Sequence, residues 1–161
     1  MAKYQVIIGR SEYVDFVGVS LGVPAKIDTG AFRSAVHATN IKEVTDKDGN
    51  TVLRFNLFGH KCAPIKRPVE VSRYDKLAIK SSNGKVENRY EVTLKIKVGP
   101  KVFNTSFTLA NRKNTVFPVL IGRKALSGRF VVDTAKSSIK RQKLLQDFGF
   151  TGPISEEDTE D

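Results

Sequence analysis

The sequence predicts an all-β, barrel-like domain. Three observations carry that reading. Short runs of apolar residues alternate with polar ones, the period of a strand with one buried face. Turns rich in Gly, Pro, Asn and Asp interrupt those runs at short intervals. Helical periodicity is confined to a brief stretch at residues 123–126 and a second candidate at 138–148, where Leu144, Leu145 and Phe148 share a face. A chain of 161 residues suits one domain with a sizeable core. That domain is expected over residues 1–150, followed by a disordered acidic tail over 151–161.

Taken in order, residues 4–9 read as a first strand and 13–19 as a second, with a turn at 9–12. Val23, Ala25 and Ile27 then alternate with Pro24 and Lys26, and this third strand runs straight into Asp28-Thr29-Gly30. Residues 31–38 continue as an extended segment, with Phe32, Ser34 and Val36 opposing Arg33, Ala35 and His37. Asp46-Lys47-Asp48-Gly49-Asn50 is a strong turn, after which Leu53, Phe55 and Leu57 alternate with polar residues. Residues 59–68 hold two prolines and read as a solvated loop carrying His60 and Cys62. A hairpin follows: 77–80, a Ser81-Ser82-Asn83-Gly84 turn, and a long return strand over 86–98. Gly99-Pro100 turns the chain into a strand over 102–109, and the apolar run 116–121 ends in Gly122-Arg123.

Composition narrows the function classes. No apolar run approaches membrane-spanning length, no signal-peptide pattern appears, and the single cysteine excludes an internal disulfide. These features predict a cytoplasmic protein with no membrane partner. Net charge is +10, yet the last eight residues carry five acids and no base, so the preceding body is near +15. A body that basic attracts polyanions. Its lysines read as scattered along solvent faces of strands, and no recognised RNA or DNA module is present, so nucleic acid is not the expected partner.

The chemistry centres on Asp28. A strand rich in apolar side chains would hold the carboxylate in place, Thr29 can hydrogen-bond locally, and Gly30 lets the backbone turn tightly beside it. Any given Asp-Thr-Gly arises by chance in a chain this long with a probability of roughly a few per cent. What raises its weight is the order: aspartate motif, hairpin, apolar-Gly-Arg, short helix. That order resembles the retropepsin form of aspartic protease. Asp28-Thr29-Gly30-Ala31-Phe32-Arg33-Ser34-Ala35-Val36-His37-Ala38 is similar to the opening motif of a bacterial retropepsin-like family. Lys80-Ser81-Ser82-Asn83-Gly84 with Arg89, and Arg112 followed by residues 117–126, resemble its later motifs. That family has carried the label ATP-dependent zinc protease, and its members travel with ATP-grasp ligases that add glutamates to a ribosomal protein.

The resemblance implies a retropepsin-like closed barrel with a flap hairpin and one short helix, assembled as a twofold homodimer. Each subunit would give Asp28 to a dyad in which one carboxylate acts as base on water and the other as acid on the carbonyl. Asp28, Thr29 and Gly30 would be catalytic. Ala31, Arg33, Ser82, Asn83, Gly84, Arg89, Arg112, Ile121 and Gly122 would bind substrate, and the basic body favours an acidic or glutamate-rich peptide. Asn111 departs from the family, where an acid commonly precedes the arginine.

Other residues argue for less. Val131-Val132-Asp133-Thr134-Ala135 resembles a degraded second aspartate motif, but too little chain follows it to build another lobe. Asp133 is expected at a strand end near the dimer contact. His37, His60 and Cys62 do not form a metal-ligand spacing, and no Gly-x-x-x-x-Gly-Lys-Ser/Thr loop exists, so neither zinc nor ATP nor any other cofactor is expected. The alternative functions are a non-catalytic peptide-binding module and a nucleic-acid-binding β-barrel.

Overall fold

The computed structural model describes residues 5–80 and 83–148. Its centre is a closed ring of six strands. β2 (Ser11–Phe16), β3 (Ser20–Ile27), β4 (Ser34–Thr45), β8 (Val86–Val98), β9 (Lys101–Ala110) and β10 (Val119–Ile121) pair in the order β10-β3-β2-β8-β9-β4, and β10 pairs again with β4 to close it. The all-β barrel expected from alternation is therefore present.

Two long strands reach out of the ring. The far half of β4 pairs with β5 (Thr51–Leu57), which pairs with β6 (Arg67–Val71) at the sheet edge. The near half of β8 pairs with β7 (Asp75–Lys80), giving the flap-like hairpin. A small parallel sheet joins β1 (Val6–Ile8) to β11 (Phe130–Val132). Two short helices, α1 (Arg123–Leu126) and α2 (Arg141–Asp147), complete the described chain.

The inward set of each strand builds the core. Phe16, Phe58 and Phe107 are almost wholly buried, and Phe16 meets the other two with ring centroids 5.3 and 5.4 Å apart. Each such side chain contributes roughly 1.5–3 kcal/mol by leaving water. A second, smaller core gathers Cys62, Val116, Phe117, Ile139 and Leu144, with Leu145 against it.

The departures from expectation have local causes. β2 begins at Ser11 and stops at Phe16, because Val19 donates its N–H back to the Phe16 carbonyl around Gly18. β6 lies partly within the stretch expected as loop. Its Pro68 is tolerated because β6 is an edge strand, where a missing N–H leaves no ladder bond unmade. Residues 31–33 are not extended into β4, because their carbonyls serve another element. Arg123 donates its N–H to the Ala31 carbonyl at 2.8 Å, and Lys124 to that of Phe32 at 3.0 Å. The first turn of α1 thus satisfies its otherwise orphaned donors on the loop that follows Asp28. The acidic tail and Ser82 lie outside the described residues.

Candidate active site

The local sequence places Asp28 at the end of β3, where a parallel partner supports it. β10 runs beside β3 with Val119 opposite Ala25 and Ile121 opposite Ile27. On its other side β10 is antiparallel to β4, with Val119 opposite Val36. The apolar run therefore threads between the strand that enters the aspartate turn and the strand that leaves it. At the end of this support the Asp28 N–H donates to the Ile121 carbonyl at 2.8 Å. Beyond it the chain turns. Gly30 donates its N–H to Asp28 Oδ1 at 2.9 Å, and Ala31 donates to the Asp28 carbonyl at 3.3 Å. A carboxylate that accepts a backbone N–H in its own turn is fixed in orientation.

Gly122 sits under this loop. A Cβ there would lie 2.5 Å from the Arg33 carbonyl oxygen, so only glycine permits the approach. Its N–H donates to Ser34 Oγ at 3.0 Å, and Thr108 Oγ1 donates to the Ser34 carbonyl at 3.2 Å. Arg123 Nη1 donates to the Thr29 carbonyl at 3.1 Å. Asp28, Thr29, Gly30, Ala31, Ile121 and Gly122 are thus brought together. Ile121 contributes its backbone, since its side chain is in the core.

The arginines divide. Arg33 follows the turn, and its Nε lies 3.6 Å from Glu91 Oε2, with the Arg33 side chain 43% exposed. Arg89 sits two positions before Glu91 on β8 and so shares its face; its Nη2 pairs with Glu87 at 3.1 Å. Arg112 is buried, and its Nε donates to the Phe117 carbonyl at 3.0 Å, so it braces the loop before β10. Asn83 and Gly84 are exposed at the tip of the β7–β8 hairpin, where Asn83 Oδ1 accepts the Lys85 N–H.

Three participants escaped the sequence reading. By strand period Glu91 falls on the row of β8 opposite Val92, Ile96 and Val98, yet it is buried and faces Arg33. Phe32 is exposed and flanked by two guanidiniums, with Arg33 at 5.7 Å and Arg123 at 6.0 Å from its ring. Ser34 accepts the Gly122 N–H. Its only sequence signal is a hydroxyl on the inward row of Ser34 and Val36.

The histidines are structural. Arg112 donates its N–H to His37 Nδ1 at 2.8 Å, and the two imidazoles meet edge to face at 5.6 Å. Burial, then the charges of His60, Arg112 and Lys66, lower the His37 pKa to about 4. His60 Nδ1 accepts the Cys62 N–H, so Nε2 carries the proton toward the Arg112 and Thr115 carbonyls. His60 and Cys62 are buried, so this is not the solvated loop expected. Among the described residues, no group of three or more His, Cys, Asp or Glu is placed to hold a metal ion. Nor is any described helix long and apolar enough to cross a membrane. Asp133 follows β11 and closes its own turn, Oδ1 accepting the Ala135 N–H. A cleft of about 310 Å³ between Asn40, Arg54, Phe55 and Glu70 shares no residue with the Asp28 turn.

Comparison with known proteins places this geometry. A "Probable alpha-L-glutamate ligase" of Shewanella halifaxensis is 34% identical over 143 residues, covering 85% of this chain and 30% of that protein. A protein of the same name from Desulfotalea psychrophila is 34% identical over 137 residues, covering 80% of this chain and 28% of its own length. The chain thus spans under a third of the curated relatives it matches. The crystal structure of a Legionella pneumophila protein of unknown function superposes with a TM-score of 0.68 at 32% identity, covering 83% of this chain and 97% of the other. Residues 7–143 match the RimB-like family, described as retropepsin-like aspartic endopeptidase RimB, and the chain belongs to that family.

Proposed function

We propose that this protein is an aspartic peptidase that hydrolyses glutamate-rich polypeptide, using Asp28 paired with Asp28 of a second copy. The observation that carries the reading is the held carboxylate: Gly30 donates to Asp28 Oδ1 while β10 and Gly122 brace the turn. One aspartate per chain supplies half of a two-carboxylate site, and a twofold axis supplies the other half. In the dyad one carboxylate takes a proton from water as the oxygen attacks the peptide carbonyl. The other donates a proton to the carbonyl oxygen, and collapse of the tetrahedral species releases the amine. Exposed Ile7 and Val131, opposite each other in the β1–β11 sheet, favour an apolar contact with a second copy.

Two features support an acidic substrate. Arg33 and Arg89 flank the turn and the hairpin, and guanidinium forks suit carboxylates. Relatives named probable alpha-L-glutamate ligase include a segment like this chain, which supports a glutamate-containing substrate. The deciding experiment incubates wild type and Asp28→Asn with a glutamate-tailed protein and reads the products by mass spectrometry. Cleavage should fall by about 10²–10⁴-fold or more in the variant, with thermal stability retained. Equal turnover in the two proteins would refute the assignment.

A further inference from the structure

The small second core gathers more than apolar side chains. Cys62, Val116, Phe117, Ile139 and Leu144 come from three stretches far apart in sequence and meet in one cluster. Each stretch is basic. Residues 59–69, 111–118 and 134–146 contain no Asp or Glu. Packing them together sets Lys61, Lys66, Lys113, Lys136, Lys140 and Lys143 around one small core, all exposed. The acids bordering them are Glu12, which accepts from Ser138 Oγ, Asp147, 3.8 Å from Lys143, and Glu70 and Asp133, which adjoin the first and third stretches. Arg112 lies buried beneath. Along the sequence these lysines look dispersed. The fold concentrates them.

The two basic surfaces differ in their arginines. Around the turn and hairpin Arg33, Arg89 and Arg123, whose planar forks match carboxylates, stand among Lys80, Lys85 and Lys124. Around the second core Arg67 and Arg141 are half-buried and the exposed cations are lysines, mobile point charges suited to following a phosphate backbone without reading its sequence.

We propose that the lysine face around Cys62, Phe117 and Ile139 binds the phosphodiester backbone of nucleic acid, independently of sequence. This binding does not depend on the peptidase reading. Its strength comes from counterion release, so it weakens steeply with salt.

The test uses the full chain and a fluorescein-labelled 20-nucleotide oligouridine, followed by anisotropy from 50 to 200 mM salt. Wild type and Asp28→Asn should bind alike, with affinity falling as salt rises. Lys113→Glu/Lys140→Glu/Lys143→Glu should lose at least about tenfold in affinity at 100 mM salt and flatten the log–log salt slope by roughly 2, from about 0.7 per lost phosphate contact. The corresponding Lys→Arg triple variant should bind as wild type does, and thermal unfolding should show both variants folded. Absence of binding at 100 mM salt, or undiminished binding by the Glu variant, would overturn the proposal. So would displacement of the RNA by a 20-residue polyglutamate at equal charge concentration, which would assign the face to acidic polypeptide.

Discussion

The Gly122 N–H donates to Ser34 Oγ at 3.0 Å, and a Cβ at Gly122 would lie 2.5 Å from the Arg33 carbonyl oxygen. This pair locks the end of β10 to the start of β4 and so sets the height of the Asp28 turn between them. A methyl group at Gly122 has no room. Gly122→Ala should destabilise the protein by about 1–3 kcal/mol, the range for overpacking. For a chain of this size that lowers Tm by roughly 2–12 °C. Differential scanning calorimetry would show it, and peptidase activity should fall further than stability does because the turn itself is displaced.

The same locked turn shows what the sequence could and could not reveal. Alternation located the barrel strands, and Val23-x-Ala25-x-Ile27 running into Asp28-Thr29-Gly30 located the site. The path of residues 31–33 was not legible, because it is decided by α1 taking the Ala31 and Phe32 carbonyls from far along the chain. Glu91 was hidden for a related reason. Strand period assigns a residue to a face, but Arg33 arriving from the aspartate loop turns an outer face into a buried one. Pro68 argued against a strand, and only the topology shows β6 to be an edge where proline is tolerated.

Arg33 should govern substrate charge. Its Nε faces Glu91, which leaves the outer edge of the guanidinium for a substrate carboxylate. Charge-assisted hydrogen bonds of this kind are worth roughly 1.5–3 kcal/mol. Arg33→Gln should therefore lower kcat/KM for glutamate peptides by about 10–100-fold, and for the matched glutamine peptides by much less. Lys95→Glu, on the outer row of β8, should change neither by more than about twofold. A uniform loss on both peptide sets would assign Arg33 a structural role.

His37 should make stability depend on pH. Its pKa is lowered from 6.5 to about 4, so between those values the unfolded chain binds the proton more readily than the folded one. The contribution is fully present above pH 6.5 and is lost progressively as pH falls toward 4, to a limit of about 3 kcal/mol. His37→Asn keeps an acceptor near the Arg112 N–H and does not titrate. Urea unfolding at pH 4 and pH 7 should show a smaller difference for His37→Asn than for wild type. Equal differences would mean that His37 is not the titrating group.

Assembly should limit activity. Specific activity is expected to fall on dilution through the dimer dissociation constant, with a quadratic dependence on protein concentration below it. Ile7→Glu and Val131→Glu should each move that midpoint upward, because they set a charge on the exposed apolar face of the β1–β11 sheet. Analytical ultracentrifugation alongside activity would check this. A monomer active at every concentration would instead call for a second acid within one chain.

The parallel pairing of β3 with β10 also governs when the Asp28 turn can form during synthesis. Asp28 leaves the ribosome early, but Val119, Ile121 and Gly122, which hold its turn, are made long afterwards. At ordinary elongation rates the interval is roughly 5–20 s. Throughout it the growing chain carries the acid without the strand that positions it, so under the proposed mechanism a prematurely released fragment should be inert. The turn is held only once Gly122 has been made, and on the proposed reading this is a built-in delay before hydrolysis.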